Sequence, residues 1–202
     1  NGNTAQTGTL TLQNGAKVTG TKTHLGAPVA INPTAPATPP PYALYTPVIL
    51  PTRTNFTTGT EDVIHNNHAV VKLEPGAYGD LNLGTQCSLT LKHGAYYFDS
   101  FTVDNGLALY YDCSGGGIQI YVKGDVSVGT MSSLVINAGE PRDIFIETHG
   151  NFSTVNLSRW EGTVFAPDGN IDLGASCVVN GALFSGQTLT LGNNAVVHYV
   201  AP

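Results

Sequence analysis

The sequence predicts an all-β chain wound into a parallel β-helix, a β-solenoid of roughly six turns behind an extended proline-rich N-terminal linker. Three observations carry this prediction. From Glu61 onward, strand-sized apolar runs such as AVVKL, DLNL, SLTL, IQIYV and AVVHYV recur about every 8–12 residues, with no helical period between them. A template, [ST]-L-T-L-x-x-[GN]-A, occurs at Thr9–Ala16, Ser88–Ala95 and Thr188–Ala195. A second echo pairs Leu81-Asn82-Leu83-Gly84-Thr85-Gln86-Cys87 with Ile171-Asp172-Leu173-Gly174-Ala175-Ser176-Cys177. Short strands alone also fit a sandwich or a barrel. Repetition selects the coil, because every turn must offer the same inward apolar positions to the next.

Three segments follow in order. Residues 1–25 are an isolated β-segment, in which 7–23 alternate apolar and polar positions about an Asn14-Gly15 turn. Residues 26–60 hold eight of the twelve prolines and read as an extended linker, since proline removes ladder donors and favours polyproline II. Residues 61–202 form the solenoid domain, with turns of about 20–25 residues.

Composition narrows the function classes. Charged residues make up 11% of the chain, and Gly, Thr, Ser and Asn take their place, a balance suited to short strands and tight turns. Eight Lys and Arg within a net charge of -6 leave no footprint for a phosphate backbone, so nucleic acid is excluded as a partner. No run approaches the roughly 18 apolar residues that span a bilayer. The chain begins at Asn1 without the features of a signal peptide, and reads as a mature or trimmed form.

Candidate chemistry is sparse, and no cofactor is expected. His65 and His68 beside Glu61 and Asp62 have the residue types of a metal site, but no helix brings the two imidazoles onto one face, and no metal is expected. The aspartates, among them Asp80, Asp125 and Asp168, sit at strand ends beside Gly or Asn, where turn chemistry accounts for them without glycosidase-type catalysis. The chain is therefore expected to be no enzyme. Scattered Thr-x-Thr pairs do not build a flat ice-binding face. Cys87 and Cys113 are a candidate disulfide in an oxidising compartment, and Asn55, Asn151 and Asn156 head sequons for glycosylation.

The blocks Leu73-Glu74-Pro75-Gly76-Ala77-Tyr78-Gly79, His93-Gly94-Ala95-Tyr96-Tyr97-Phe98, Ile120-Tyr121-Val122-Lys123-Gly124-Asp125-Val126, Gly162-Thr163-Val164-Phe165-Ala166-Pro167 and Asn180-Gly181-Ala182-Leu183-Phe184 carry a family likeness. Across roughly Val70 to Val200 the chain resembles bacterial extracellular solenoid domains of PilX-related pilus-assembly proteins, and more loosely the polymer-forming bactofilin-type β-helices. The resemblance implies an exported solenoid, secreted or at the cell surface, associated with pili. It implies no activity and no catalytic residue.

The ends of the coil carry the functional expectation. A terminal turn exposes unpaired backbone groups, and no capping helix is apparent after Tyr199. The tethered N-terminal copy of the template is a candidate donor to that edge, with Leu10, Leu12 and Val18 meeting Leu189, Leu191, Val197 and Tyr199. The segment either joins a neighbouring subunit, building a filament, or folds back onto its own solenoid. The expected partner is thus the chain itself or pilus components. The alternative function is a monomeric adhesin or carbohydrate-binding module using Tyr96, Tyr97, Tyr110, Tyr111 and Trp160, although adjacent tyrosines must point to opposite faces.

Overall fold

Inward alternation that repeats from turn to turn dictates parallel strands in register, and the computed structural model is such a coil. It describes residues 4–6, 9–19, 22–24 and 51–202; the expected linker residues 26–50 lie outside these. The N-terminal segment supplies β1 (Thr4–Gln6), β2 (Thr9–Leu12), β3 (Lys17–Thr19) and β4 (Lys22–His24). An opening turn holds β5 (Val63–His65) and β6 (Val70–Leu73). Six three-strand turns follow. They are β7 (Gly76–Ala77), β8 (Asp80–Leu83) and β9 (Ser88–Lys92); β10 (Gly94–Phe98), β11 (Ser100–Val103) and β12 (Leu107–Asp112); and β13 (Ile118–Val122), β14 (Val126–Val128) and β15 (Met131–Asn137). The last three are β16 (Ile144–Thr148), β17 (Phe152–Thr154) and β18 (Arg159–Glu161); β19 (Thr163–Ala166), β20 (Ile171–Leu173) and β21 (Val178–Gly181); and β22 (Leu183–Ser185), β23 (Thr188–Leu191) and β24 (Val196–Tyr199). The solenoid thus has about seven turns rather than the expected six.

The strands stack into three faces. The first runs β7-β10-β13-β16-β19-β22-β1-β4 and the second β5-β8-β11-β14-β17-β20-β23-β2. The third is broken: β6-β9-β12-β15 form one sheet and β18-β21-β24-β3 another, with no ladder between β15 and β18. On the second face, Val63, Leu81, Phe101, Val126, Phe152, Ile171 and Leu189 form one inward column. Successive members are 18, 20, 25, 26, 19 and 18 residues apart by their numbers. The end turns are shorter than expected, which is why more of them fit. The central turns are longer because β12 and β15 are extended and a 3-10 turn, Pro141–Asp143, precedes β16.

Polar side chains bind the corners. Backbone N–H groups of Asp80, Asn151, Asn170 and Thr188 donate to the side chains of Asp62, Asp125, Asn151 and Asn170 one turn earlier, at 2.8–3.1 Å. At the next corner, Thr85, Thr130 and Ala175 donate in the same way to Asn67, Asn105 and Asn156. The aspartates at strand ends thus include corner acceptors, as turn chemistry anticipated. The second corner also carries a left-handed residue in turn after turn: His68, Gln86, Gly106, Leu157, Ser176 and Asn194 have φ between 57° and 82°. Each of their N–H groups donates to a carbonyl of the following turn, which holds even the non-glycine residues in that conformation.

The cysteines follow this register. Cys87 and Cys177 each come directly after a left-handed residue, in equivalent corners, as their matching sequences require. The expected Cys87–Cys113 bridge is not formed, and all three thiols are free and buried. The reason is positional. Cys87 precedes β9 and Cys113 follows β12, and the register of Ala108 with Ser88 places the two at opposite ends of the third face. Six residues of strand separate them, about 20 Å, whereas a disulfide needs Cα atoms within about 7 Å.

Burial in the core has a pH consequence. Tyr96 and Tyr111 point inward, and burial pushes both phenols well above their ordinary value of 10.0. Below pH 10 both folded and unfolded chains keep these protons, so this term adds no pH dependence. Above it the unfolded chain releases protons that the fold retains, and stability falls as pH rises. Circular dichroism is expected to hold steady to about pH 10 and then collapse together with a rise in tyrosinate absorbance. Full ionisation of all nine tyrosines near pH 10 with the spectrum intact would contradict this.

Candidate functional site: the strapped face and the coil ends

The outward side of the first face is unusually apolar. Its central column runs Ala77, Tyr97, Tyr121, Glu147, Phe165 and Phe184 from turn to turn. Phe165 and Phe184 are buried, as are Thr163–Ala166 and Leu183–Ser185 throughout, so these strands are covered on both sides. Such runs do not alternate, and that is the signal in the sequence for a covered outer face.

Residues 51–60, expected to be linker, pack along this column as a strap. Gly59 N–H donates to Tyr78 O at 2.9 Å in the first full turn, and the Thr58 hydroxyl to Asp99 Oδ1 at 2.9 Å in the second. Phe56 sits over Tyr97, Tyr121 and His149, with ring centroids 5.8, 5.5 and 4.8 Å away. Thr54 N–H donates to Glu147 Oε1 at 2.7 Å, and Arg53 Nε to Asp168 Oδ2 at 2.8 Å. From Gly59 to Arg53 the chain climbs four turn spacings, about 19 Å, with six residues that reach about 20 Å when extended. The strap is therefore fully stretched up the face.

Its upper anchor is a polar relay. Arg53 Nη2 lies 3.2 Å from His149 Nδ1, and His149 Nε2 lies 2.9 Å from Glu147 Oε1. Arginine only donates, so Nδ1 accepts and Nε2–H donates to the fully buried Glu147. Glu147 Oε1 thereby takes the strap backbone and the imidazole together, while Oε2 has no partner among the described residues. Lower down, the hydrogen bond from Thr58, with Lys123 nearby, holds the Asp99 carboxyl below its ordinary range. What this arrangement does chemically is grip an extended peptide. Arg53, Thr54, Phe56, Glu147, His149 and Asp168 were not singled out as a site by sequence reasoning.

The N-terminal strands meet the other end. β2 pairs with β23 in parallel, Leu10 with Leu189 and Leu12 with Leu191. β3 pairs with β24, Val18 with Val197, and β1 pairs with β22. Tyr199 pairs instead with Gly181 of the previous turn. Six of the seven expected assembly residues thus come together, and within this one chain the segment lies on its own solenoid.

The other candidates disperse. His65 ends β5 and His68 occupies the corner, both exposed, and no metal-binding group of His, Cys, Asp or Glu exists among the described residues. Asn151 and Asn156 serve as corner acceptors, and Asn55 Oδ1 accepts from Arg53 at 3.0 Å. Of the five aromatics considered for sugar contact, Tyr96, Tyr111 and Trp160 are core and Tyr97 lies under Phe56, which leaves Tyr110 exposed. No helix among the described residues is long and apolar enough to cross a membrane.

Residues 57–159, and again residues 117–201, match the family described as a domain of unknown function (DUF7305). The two matches overlap over residues 117–159 and together cover 57–201. No curated protein and no solved structure matches the chain.

Proposed function

The chain belongs to the DUF7305 family, whose match spans the solenoid and the end of the strap, and from that premise we propose a secreted, non-enzymatic structural subunit that assembles end to end. The assembly is an extracellular filament or a pilus-associated surface structure, and the N-terminal β-segment is donated to a neighbouring copy. The observation that carries this reading is the in-register addition of β1, β2 and β3 to the three strands of the last turn. Donation by a neighbour makes the same bonds. The resemblance to pilus-associated solenoids supports the extracellular setting.

Chain length supports exchange. Arg53 already stands at the level of the fifth full turn, beside Asp168, and His24 ends a strand two places beyond β22. That leaves residues 25–50 to bridge a few turn spacings of about 4.8 Å, although 26 residues reach about 85 Å when extended. A tether needed only to return along its own coil has no use for such length, whereas a tether to a neighbour does.

Paired cysteines test the donation. Thr11 and Thr190 are register partners on adjacent parallel strands, about 4.8 Å apart, within disulfide range. Oxidation of the Thr11→Cys/Thr190→Cys protein is expected to give a ladder of covalent dimers and higher species on a non-reducing gel. The native thiols are buried and do not compete. A bridged monomer alone, at all protein concentrations, would refute donation between chains.

A further inference from the structure

The opening end of the coil is level across its three faces. Gly59 lies against the Ala77 carbonyl and donates to Tyr78 O, which fills the first-face rung beneath β7, while β5 lies beneath β8 and β6 beneath β9. The far end is stepped instead, because β4 stands one rung beyond β1 on the first face, whereas the other two faces finish at β2 and β3. Stacking in register, head to tail, would drive β4 of one copy into Gly59 of the next. Two opening ends meet without that clash, since a two-fold axis perpendicular to the coil carries its ramp onto itself and reverses the strand direction.

The free edges of this end can be read from the bonds behind them. The Glu61 and His65 carbonyls accept from Gly79 and Gly84, and the Ala69 carbonyl from Ser88, all one turn on. By alternation, the backbone groups of Asp62 and Ile64, and those of Val70 and Lys72, face away from the coil. The outward side chains at this edge include Ile64 and Val70, 60% and 73% exposed. The turns above carry Asn82 and Thr102 in the first of these columns and Ser88 and Ala108 in the second. An apolar, unpaired edge is a template for another strand.

We propose that two copies join opening end to opening end about a two-fold axis at the corner between β5 and β6, β5 of each pairing antiparallel with β6 of the other. An axis through Asn67 fixes the register: Ile64 falls opposite Val70 of the second copy, Val63 opposite Val71, and Asp62 opposite Lys72. Each pairing is complementary. Two exposed β-branched side chains cover one another on the outer side, the inward valines carry the core across the joint, and a carboxylate meets an ammonium. Ile64 with Val70, and Asp62 with Lys72, are also pairs whose backbone groups face the open edge, as the hydrogen-bonded pairs of an antiparallel ladder must. One symmetry operation thus satisfies side chains and backbone together, which identifies the occupant as a second copy of this chain. The joint rests on the self-assembly reading for its choice of partner, and not on exchange of the N-terminal segment.

Single cysteines test the register. Opposed residues of a hydrogen-bonded antiparallel pair have Cα atoms about 5.5 Å apart, within disulfide reach. Ile64→Cys and Val70→Cys change exposed side chains and should leave the circular dichroism spectrum in place. On oxidation, the two proteins mixed are expected to give a covalent dimer about tenfold faster than either alone, because only the mixture brings the two thiols face to face. The native thiols are buried and do not compete. Adding Lys72→Glu to the Val70→Cys protein sets it against Asp62 of its mate and should slow the cross-link several-fold. Equal rates alone and mixed, or no effect of Lys72→Glu, would overturn the joint. A ladder from the Thr11/Thr190 cysteine pair without the mixed dimer would keep donation and remove this joint, whereas the mixed dimer beside intrachain Thr11/Thr190 bridges alone would uphold the joint and remove donation.

Discussion

Trp160→Ala is expected to lower the unfolding free energy by about 3–5 kcal/mol, the range for removing a fully buried aromatic. Trp160 is 1% exposed and meets Phe152 edge-on, with ring centroids 5.3 Å apart. Its position makes the loss larger than its volume suggests. It lies on β18, where the third face has no ladder to β15, so side-chain packing takes the place of backbone bonds between those turns. Stability in a solenoid is close to a sum of nearest-neighbour interfaces, and this interface is already short of one ladder. Denaturant unfolding followed by circular dichroism is expected to separate into two transitions in Trp160→Ala, one for each side of the break. A single transition with an unchanged midpoint would show that Trp160 does not couple the halves.

Phe56→Ala is expected to free the strap without unfolding the coil. Its ring contacts three aromatic side chains, and truncation removes about 3 kcal/mol of packing, a factor on the order of 100 in the docked fraction. Arg53 is the sole tryptic site between Lys22 and Lys72, and its neighbour Thr54 is bonded to Glu147 through the backbone, so docking protects that bond from cleavage. Trypsin should cut after Arg53 about 100-fold faster in Phe56→Ala, with global unfolding changed far less. Equal cleavage rates would mean that the strap is held without its aromatic anchor.

The coil was legible because its information is repeated. Cys87 and Cys177 share a sequence context and occupy equivalent corners, one early and one late in the stack. The template likewise placed Thr9–Leu12 against Thr188–Leu191, which the structure pairs residue by residue. The strap was not legible because each of its contacts occurs once. Arg53 meets Asp168 across 115 positions of sequence, and proline-rich composition reads alike whether a segment is docked or free. The disulfide expectation failed for a related reason: spacing in sequence says nothing about which end of a face a residue reaches. The shared aromatic column beneath the strap was visible only as an interrupted alternation, in Thr163–Ala166 and Leu183–Ser185.

The break in the third face also has a mechanical meaning. Pull along the axis loads the ladders between turns in series, and most junctions share the force among three of them. Between β15 and β18 only the first and second faces bear it, through β13 with β16 and β14 with β17. Under such a load this gap is a defined weak plane within the coil, set by the missing ladder rather than by the ends of the chain.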